Sequence, residues 1–444
     1  MTSGSRPRVA PTGVPRGALI GLGLMVLVFA AFSQFKLPVV LPLLLDRYAY
    51  DPVLAGGFMS VYAVLGIVLS VWIGRRVEAQ GPLNLILLAL PLMAGGTLVS
   101  LAAPQLGGVV LLGRALEGAA FAILAVAGPV LATSLVSERH RNLVVGLVAA
   151  WMPAGQLLAT VLAPLALATT GWAGLWLASV AIALGLIAWT WHLRGKGQVA
   201  AAASSAPSSG PSSGPSSAPF SGQTGGPDAG NAEGLSWTLG QKRALWLTAG
   251  VFMLWSGQYL AYMTWLPEYL VGALGLTVEA ALWVYLIPVI LVGVFNVLTG
   301  LVLRRGLAVE RLLLAAVVVQ ALLWWLLPVS SSGVAGLLSL CLYGITAGIV
   351  PTCLFTLPTE AVRDAGQRAR AFGGVMTGRN LGVFLGPLLL AQLVKWSGDW
   401  VASSTAFAAL TSLAAVLSLL LLMVMPRLRS AGRADLAAPK PGAI

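Results

Sequence analysis

The chain has 444 residues, of which 58% are hydrophobic and 9% charged, and it carries a net charge of +12. A mean hydropathy of +0.90 is more apolar surface than a soluble core can use, which excludes an ordinary soluble domain and points to long membrane-spanning segments. The two cysteines, Cys341 and Cys353, form neither a disulfide framework nor a metal-ligand spacing.

The first apolar run, 17–45, is too long for a signal-peptide core and is read as a retained span. Breaking the chain at charged and Pro/Gly/Asp-rich punctuation continues the series at 53–74, 83–103, 107–135, 143–168 and 172–193. A second set follows at 244–271, 279–303, 310–328, 334–358, 371–394 and 401–425. Each has the ~20 apolar residues that cross ~30 Å of hydrocarbon. Pro38, Pro42, Pro153, Pro267, Pro288 and Pro351 are expected to kink their spans. Between the sets, repeats such as Pro207-Ser-Ser-Gly and Pro211-Ser-Ser-Gly cannot bury enough apolar surface to order the chain.

The expected organisation is therefore a tail at 1–16, a six-helix bundle at 17–196, a disordered linker at 197–242, a second bundle at 243–426 and a tail at 427–444. With both termini cytoplasmic, Arg75, Arg76, Arg139, Arg141, Arg304, Arg305, Arg368 and Arg370 all face inward, and Arg47 and Lys395 are the cations left outside. That asymmetry explains the basic charge without a nucleic-acid partner. The halves also echo each other. Gly74-Arg-Arg and Gly300-Leu-Val-Leu-Arg-Arg close the second and eighth spans, 226 residues apart. Arg141-Asn-Leu-Val-Val-Gly146 and Arg368-Ala-Arg-Ala-Phe-Gly373 open the fifth and eleventh, 227 residues apart. One register relates both pairs, as in a duplicated six-span unit, an architecture with a site at the repeat interface.

On these residues the chain resembles the major facilitator superfamily (MFS) of transporters. The family's loop signature Gly-x-x-x-Asp-Arg-x-Gly-Arg-Arg is matched at Gly74, Glu78 and Gly81, while Ala79, Pro82 and Leu83 replace its cations. Its fourth-span signature is kept as Arg114-Ala-Leu-Glu117-Gly118. The fifth span carries Pro153-Ala-Gly155 in place of the full drug-antiporter motif, and the eleventh has Gly382-x-x-x-Gly386-Pro387. Trp265-Leu-Pro267 and Gly378-Arg379-Asn380-Leu-Gly are similar to the cyanate/nitrate-like anion branch. The resemblance implies an all-α fold of twelve transmembrane helices in two bundles, moving a small molecule by alternating access.

Charge inside the spans narrows the cargo. A charge at the bilayer centre costs roughly 2.5–3.5 kcal/mol, so such residues face a water-filled path or a partner. Arg379 lies near mid-span beside Asn380, and its planar donor fork suits a carboxylate or oxyanion; a structural ion pair is the alternative. Lys36 could attract an anion or snorkel to an interface. Arg114 and Glu117 stand i, i+3, either as a static pair or with Glu117 as a proton-coupling acid. Gln156, Gln258, Tyr259, Tyr262 and Asn296 either line a cavity or serve as interhelical hydrogen-bond glue.

Three such cations against one acid favour an anionic substrate moved with protons in a multi-pass inner-membrane protein. Proton-driven efflux of a drug or metabolite is the alternative. No phosphate loop or side-chain cluster points to ATP, a metal, a cofactor or enzymatic chemistry, and nothing in the chain demands more than a monomer.

Overall fold

The computed structural model describes residues 15–133, 136, 140, 144, 146–148, 150–204, 237–327, 333–362 and 365–437. Within these, residues 65, 67–72, 74, 75, 78, 79, 196–204, 365–370 and 431–437 are described by backbone alone. The side chain of Glu78, and most of the predicted linker at 197–242, thus lie outside the described part.

Twelve α-helices are found among the described residues. They are α1 (Arg16–Tyr48), α2 (Pro52–Gln80), α3 (Pro82–Ala102), α4 (Gly107–Thr133), α5 (Trp151–Thr170) and α6 (Ala173–Ser204). After the undescribed segment come α7 (Leu239–Glu268), α8 (Val278–Arg304), α9 (Val309–Leu326), α10 (Gly333–Ala361), α11 (Ala365–Ser397) and α12 (Trp400–Ala437). Ten have the length and apolar composition to cross a membrane. Of the other two, α2 has an apolar stretch at Pro52–Val64, beyond which most of its side chains to residue 79 lie outside the described part, and in α7 tryptophans, tyrosines and Gln258 dilute the hydropathy.

Local chemistry sets the helix ends. Gly81 adopts φ +79°, open to glycine without steric cost, and hands over to Pro82 at the first position of α3. Thr238 and Gln241 form a reciprocal capping box at the start of α7. Asp51 accepts from the Val53 amide at 2.9 Å before α2 and pairs with Lys395; that ammonium holds the Asp51 carboxyl below its ordinary range. Three boundaries differ from the sequence expectation. α5 begins at Trp151, after a turn at Ala150, against an expected span start at 143; residues 144 and 146–148 ahead of it are also helical. α7 starts at Leu239, inside the expected linker, and α12 continues to Ala437, past the expected end at 426.

The chain divides into two compact units: Met1–Lys36 with Val68–Gly226, and Leu37–Ile67 with Pro227–Ile444. The first holds most of the amino-terminal half, but residues 37–67 of α1 and α2 group with the second. In the first unit α3 packs tightly along α4, where a side chain on Gly96 would come within 2.6 Å of the Gly113 carbonyl. Only glycine permits that approach.

In the second unit α7 packs along α11, with Gly378, Gly382 and Gly386 spaced i, i+4, i+8 against Ala249, Met253 and Gly257. At the far end of this unit Arg429 on α12 grips Glu310 of α9 with both nitrogens, at 2.8 and 2.6 Å, and reaches Glu360 of α10 at 2.6 Å. One cation thereby ties three helix ends together.

A methyl group at Gly382 would collide with the Met253 carbonyl and the Ser256 hydroxyl of α7. Gly382→Ala should destabilise the purified protein by about 1–3 kcal/mol, seen as a lower thermal midpoint. Gly373→Ala, on the same helix with open space around it, should leave the midpoint unchanged or slightly raised.

Candidate functional site

Two polar centres lie inside the helices, one in each unit. The first is built on α1, α3 and α4. Lys36, Arg114 and Glu117 are all completely buried. Glu117 accepts from Lys36 Nζ at 2.8 Å on one carboxylate oxygen and from Arg114 Nη1 at 2.6 Å on the other. Thr97 completes the set, donating to Glu117 Oε1 at 2.7 Å and accepting from Lys36 at 3.2 Å. The Lys36 ammonium also lies 5.0 Å from the centre of the Trp176 ring, so its alkyl stem is not extended to an interface.

The local sequence explains why these groups meet. Pro38 has no N–H to offer the carbonyl of Gln34, four residues earlier, and leaves that oxygen orphaned inside the helix. Arg114 supplies the missing donor: Nη2 reaches Gln34 O at 3.0 Å and Nη1 reaches Ser33 O at 2.9 Å. The proline-broken turn therefore anchors the guanidinium, and the guanidinium presents Glu117 to Lys36 two residues along α1. The close α3–α4 crossing at Gly96 and Gly113 brings Thr97 within reach of the same carboxylate. Two cations and one carboxylate leave this buried cluster at +1.

The second centre is on α7 and α11. Arg379 is half-buried, its Nη1 donates to the Asn380 side chain at 2.9 Å, and among the described residues no carboxylate pairs with it. Its backbone is fixed by the Ser256 hydroxyl, which donates to Arg379 O at 2.8 Å, and by Gly378 and Gly382 pressed against α7. Tyr259 is buried nearby and stacks on Trp255 with centroids 5.1 Å apart.

The remaining sequence candidates divide. Gln258 is a buried hub: its carbonyl accepts from Trp324 Nε1 at 2.8 Å and Tyr343 hydroxyl at 2.9 Å, and its amide donates to Gln320 at 3.1 Å. Tyr262 stacks on Tyr343 with centroids 3.7 Å apart. Gln156 is buried on α5 beside the Gly155 contact with α1, and Asn296 is half-buried on α8. Of the loop-motif residues, Gly81 is the helix start described above, and the side-chain environment at Gly74 and Glu78 lies outside the described part.

Sequence reasoning did not single out Thr97, Gln320, Trp324 or Tyr343. The intramembrane Gln320 was the available signal, since an amide at that depth needs a partner. Among the described residues no group of three or more His, Cys, Asp or Glu side chains is placed to hold a metal ion.

A buried charge cluster is costly to break halfway. Glu117→Ala leaves two buried cations unpaired and should cost about 3–5 kcal/mol. Lys36→Met keeps the Arg114–Glu117 pair and should cost less, and adding Lys36→Met to Glu117→Ala should recover part of the loss. Thermal unfolding of the purified variants ranks them.

The fold is shared with known transporters. A model of the Major Facilitator Superfamily matches residues 22–367. No protein with a curated description matches by sequence. Among solved structures, the chain superposes on a mutant of the nucleoside transporter NupG with a TM-score of 0.68 at 15% identity, covering 90% of this chain and 99% of that one. It also superposes on a bacterial homolog of the human lysosomal transporter Spinster, inward-facing and unoccupied, with a TM-score of 0.71 at 14% identity, covering 93% and 98%. At these identities the likeness is one of fold. With a family match over most of its length and ten membrane-length apolar helices, the chain is a multi-pass membrane protein that belongs to the Major Facilitator Superfamily.

Proposed function

We propose that this secondary transporter moves a small organic or inorganic anion together with protons, by alternating access of two six-span halves in the inner membrane. Both termini are cytoplasmic on this view, and the working unit is a monomer. The observation that carries the proposal is Arg379. A guanidinium held inside a membrane helix with no carboxylate partner among the described residues, and one nitrogen given to Asn380, retains further donors and an uncompensated charge. An anionic substrate supplies what is missing, and Asn380 fixes the fork's orientation. A carboxylate or oxyanion of the cyanate/nitrate type fits that donor geometry.

Glu117 carries the proton and Lys36 provides the coupling. With Glu117 ionised, Lys36 and Arg114 are both engaged with it. Protonation removes the carboxylate charge and takes the cluster from +1 to +2, which leaves Lys36 free to attract the anion. By linkage, a bound anion favours protonation by the same factor. Tyr259 and Asn296, in the same unit as Arg379, provide uncharged polar surface for the remainder of the substrate. Export of a cationic drug is disfavoured, because such a cargo would have to displace two protein cations, Lys36 and Arg114, from Glu117.

Uptake of radiolabelled small carboxylates, cyanate and nitrate into proteoliposomes, with and without an inward proton gradient, tests the assignment. Arg379→Ala should cost about 2–5 kcal/mol of binding, a loss of more than tenfold. Arg379→Lys should recover only part of that loss, because the fork is gone. Glu117→Gln should leave residual uptake that no longer responds to the proton gradient. Transport that survives both Arg379→Ala and Lys36→Ala overturns the anion assignment.

A further inference from the structure

The second unit contains a cavity that the anion reading does not use. It is walled by Tyr262, Trp265, Tyr269, Trp324 and Trp400, with Ser339 and several leucines completing the lining. The atom-free space between these walls, its mouth included, is about 570 Å³. Among the described residues no charged side chain lines it.

The aromatic wall is held in place. The Gln258 hub clamps Trp324 and Tyr343 by hydrogen bonds of 2.8 and 2.9 Å, and Tyr262 lies flat on Tyr343 at 3.7 Å. Trp265 donates from Nε1 to Pro387 O at 3.1 Å. Pro267 ends the regular helix, and the chain continues in a wider turn, Tyr269–Ala273, whose Leu274 amide reaches back to Tyr269 O at 3.2 Å. That wide turn sets Tyr269 against Trp400 on α12, with ring centroids 5.7 Å apart. Buried hydrogen-bonded rings are pre-organised, so little side-chain freedom remains to be lost when a ligand enters.

The ring geometry selects the occupant. Tyr262 meets Trp324 at 86° and Tyr269 meets Trp400 at 71°, so the cavity offers ring faces and ring edges at near right angles. Faces carry partial negative charge and edges partial positive charge, which is complementary to another aromatic ring packed offset or edge-on. A cation would find no carboxylate: Glu268 on the same helix is off the lining stripe of residues 262, 265, 266, 269 and 270. An anion would find no cation. We infer that this cavity, walled by Tyr262, Trp265, Tyr269, Trp324 and Trp400, is a binding pocket for an uncharged aromatic compound, independent of anion recognition at Arg379.

Benzophenone, an uncharged two-ring photoprobe, tests this on the full-length protein in phosphatidylcholine nanodiscs, with labelled peptides mapped by mass spectrometry. Labelling of residues 262–274 and of the Trp400 region should saturate and be competed by biphenyl. Leu340→Trp fills the cavity and should reduce that labelling roughly tenfold, while Arg379→Ala should leave it unchanged. Trp400→Leu, which removes a wall without filling the space, should weaken competition by biphenyl.

Labelling that does not saturate, or that is equal in wild type, Leu340→Trp and Trp400→Leu, overturns the pocket. Nanodiscs of a dibrominated-chain phosphatidylcholine separate a lipid occupant. Tryptophan quenching that is lost in Leu340→Trp but unaffected by biphenyl would assign the cavity to a hydrocarbon chain and overturn the aromatic assignment.

Discussion

Inside hydrocarbon every backbone N–H and C=O must find a partner within the protein. A proline in a spanning helix violates that locally, because the carbonyl four residues before it loses its donor. In this chain two such gaps are filled by side chains that then do further work. Arg114 satisfies Gln34 O, left open by Pro38. Tyr285 satisfies Met263 O, left open by Pro267, at 3.0 Å. Both charge centres and the aromatic wall sit within a turn or two of such positions or of a glycine crossing. Prolines and glycines thus decide where polar chemistry is tolerated in an otherwise apolar bundle.

The charge cluster on α1, α3 and α4 follows from this arrangement and from desolvation. Three ionised side chains out of water cost several kcal/mol each unless their partners have good geometry. Here every contact is at hydrogen-bond distance, and the guanidinium reaches three acceptors, the Ser33 and Gln34 carbonyls and the Glu117 carboxylate. Such a cluster is stable when complete and poorly stable with a proton added or a partner removed. That contrast makes it sensitive to protonation, since one proton on Glu117 cancels the charge that both cations share.

Part of this was legible in the residues alone. Span positions follow from apolar length, and the i, i+3 spacing of Arg114 and Glu117 already implied a pair. Lys36 was visible as a charge in a span, but its engagement by the same carboxylate depends on an α1–α4 approach that no local spacing encodes. Thr97 was invisible, because one threonine in an apolar helix carries no signal until the Gly96–Gly113 crossing sets it beside Glu117. Tyr259 and Tyr262 shared a face by periodicity, yet they stack on different partners, Trp255 and Tyr343. Helical spacing gives direction around an axis; which neighbour waits there is a tertiary fact.

The two cationic centres differ in chemistry as well as in partners, and the difference has a direction. Lysine is a compact, strongly hydrated point charge whose interaction with Glu117 is largely coulombic, so it is weakened as soon as the acid is neutralised. Arginine keeps its charge and presents a rigid fork that rewards a planar, bidentate acceptor. An ammonium tied to a titratable acid is therefore suited to releasing and retaking charge as protons come and go. A guanidinium with no carboxylate partner among the described residues is suited to holding an anion whatever the protonation state of its surroundings. Exchanging the two residues would leave the charge count unchanged and lose both properties, because the donor fork would be committed to Glu117 and a flexible ammonium would stand where the unpaired fork now is.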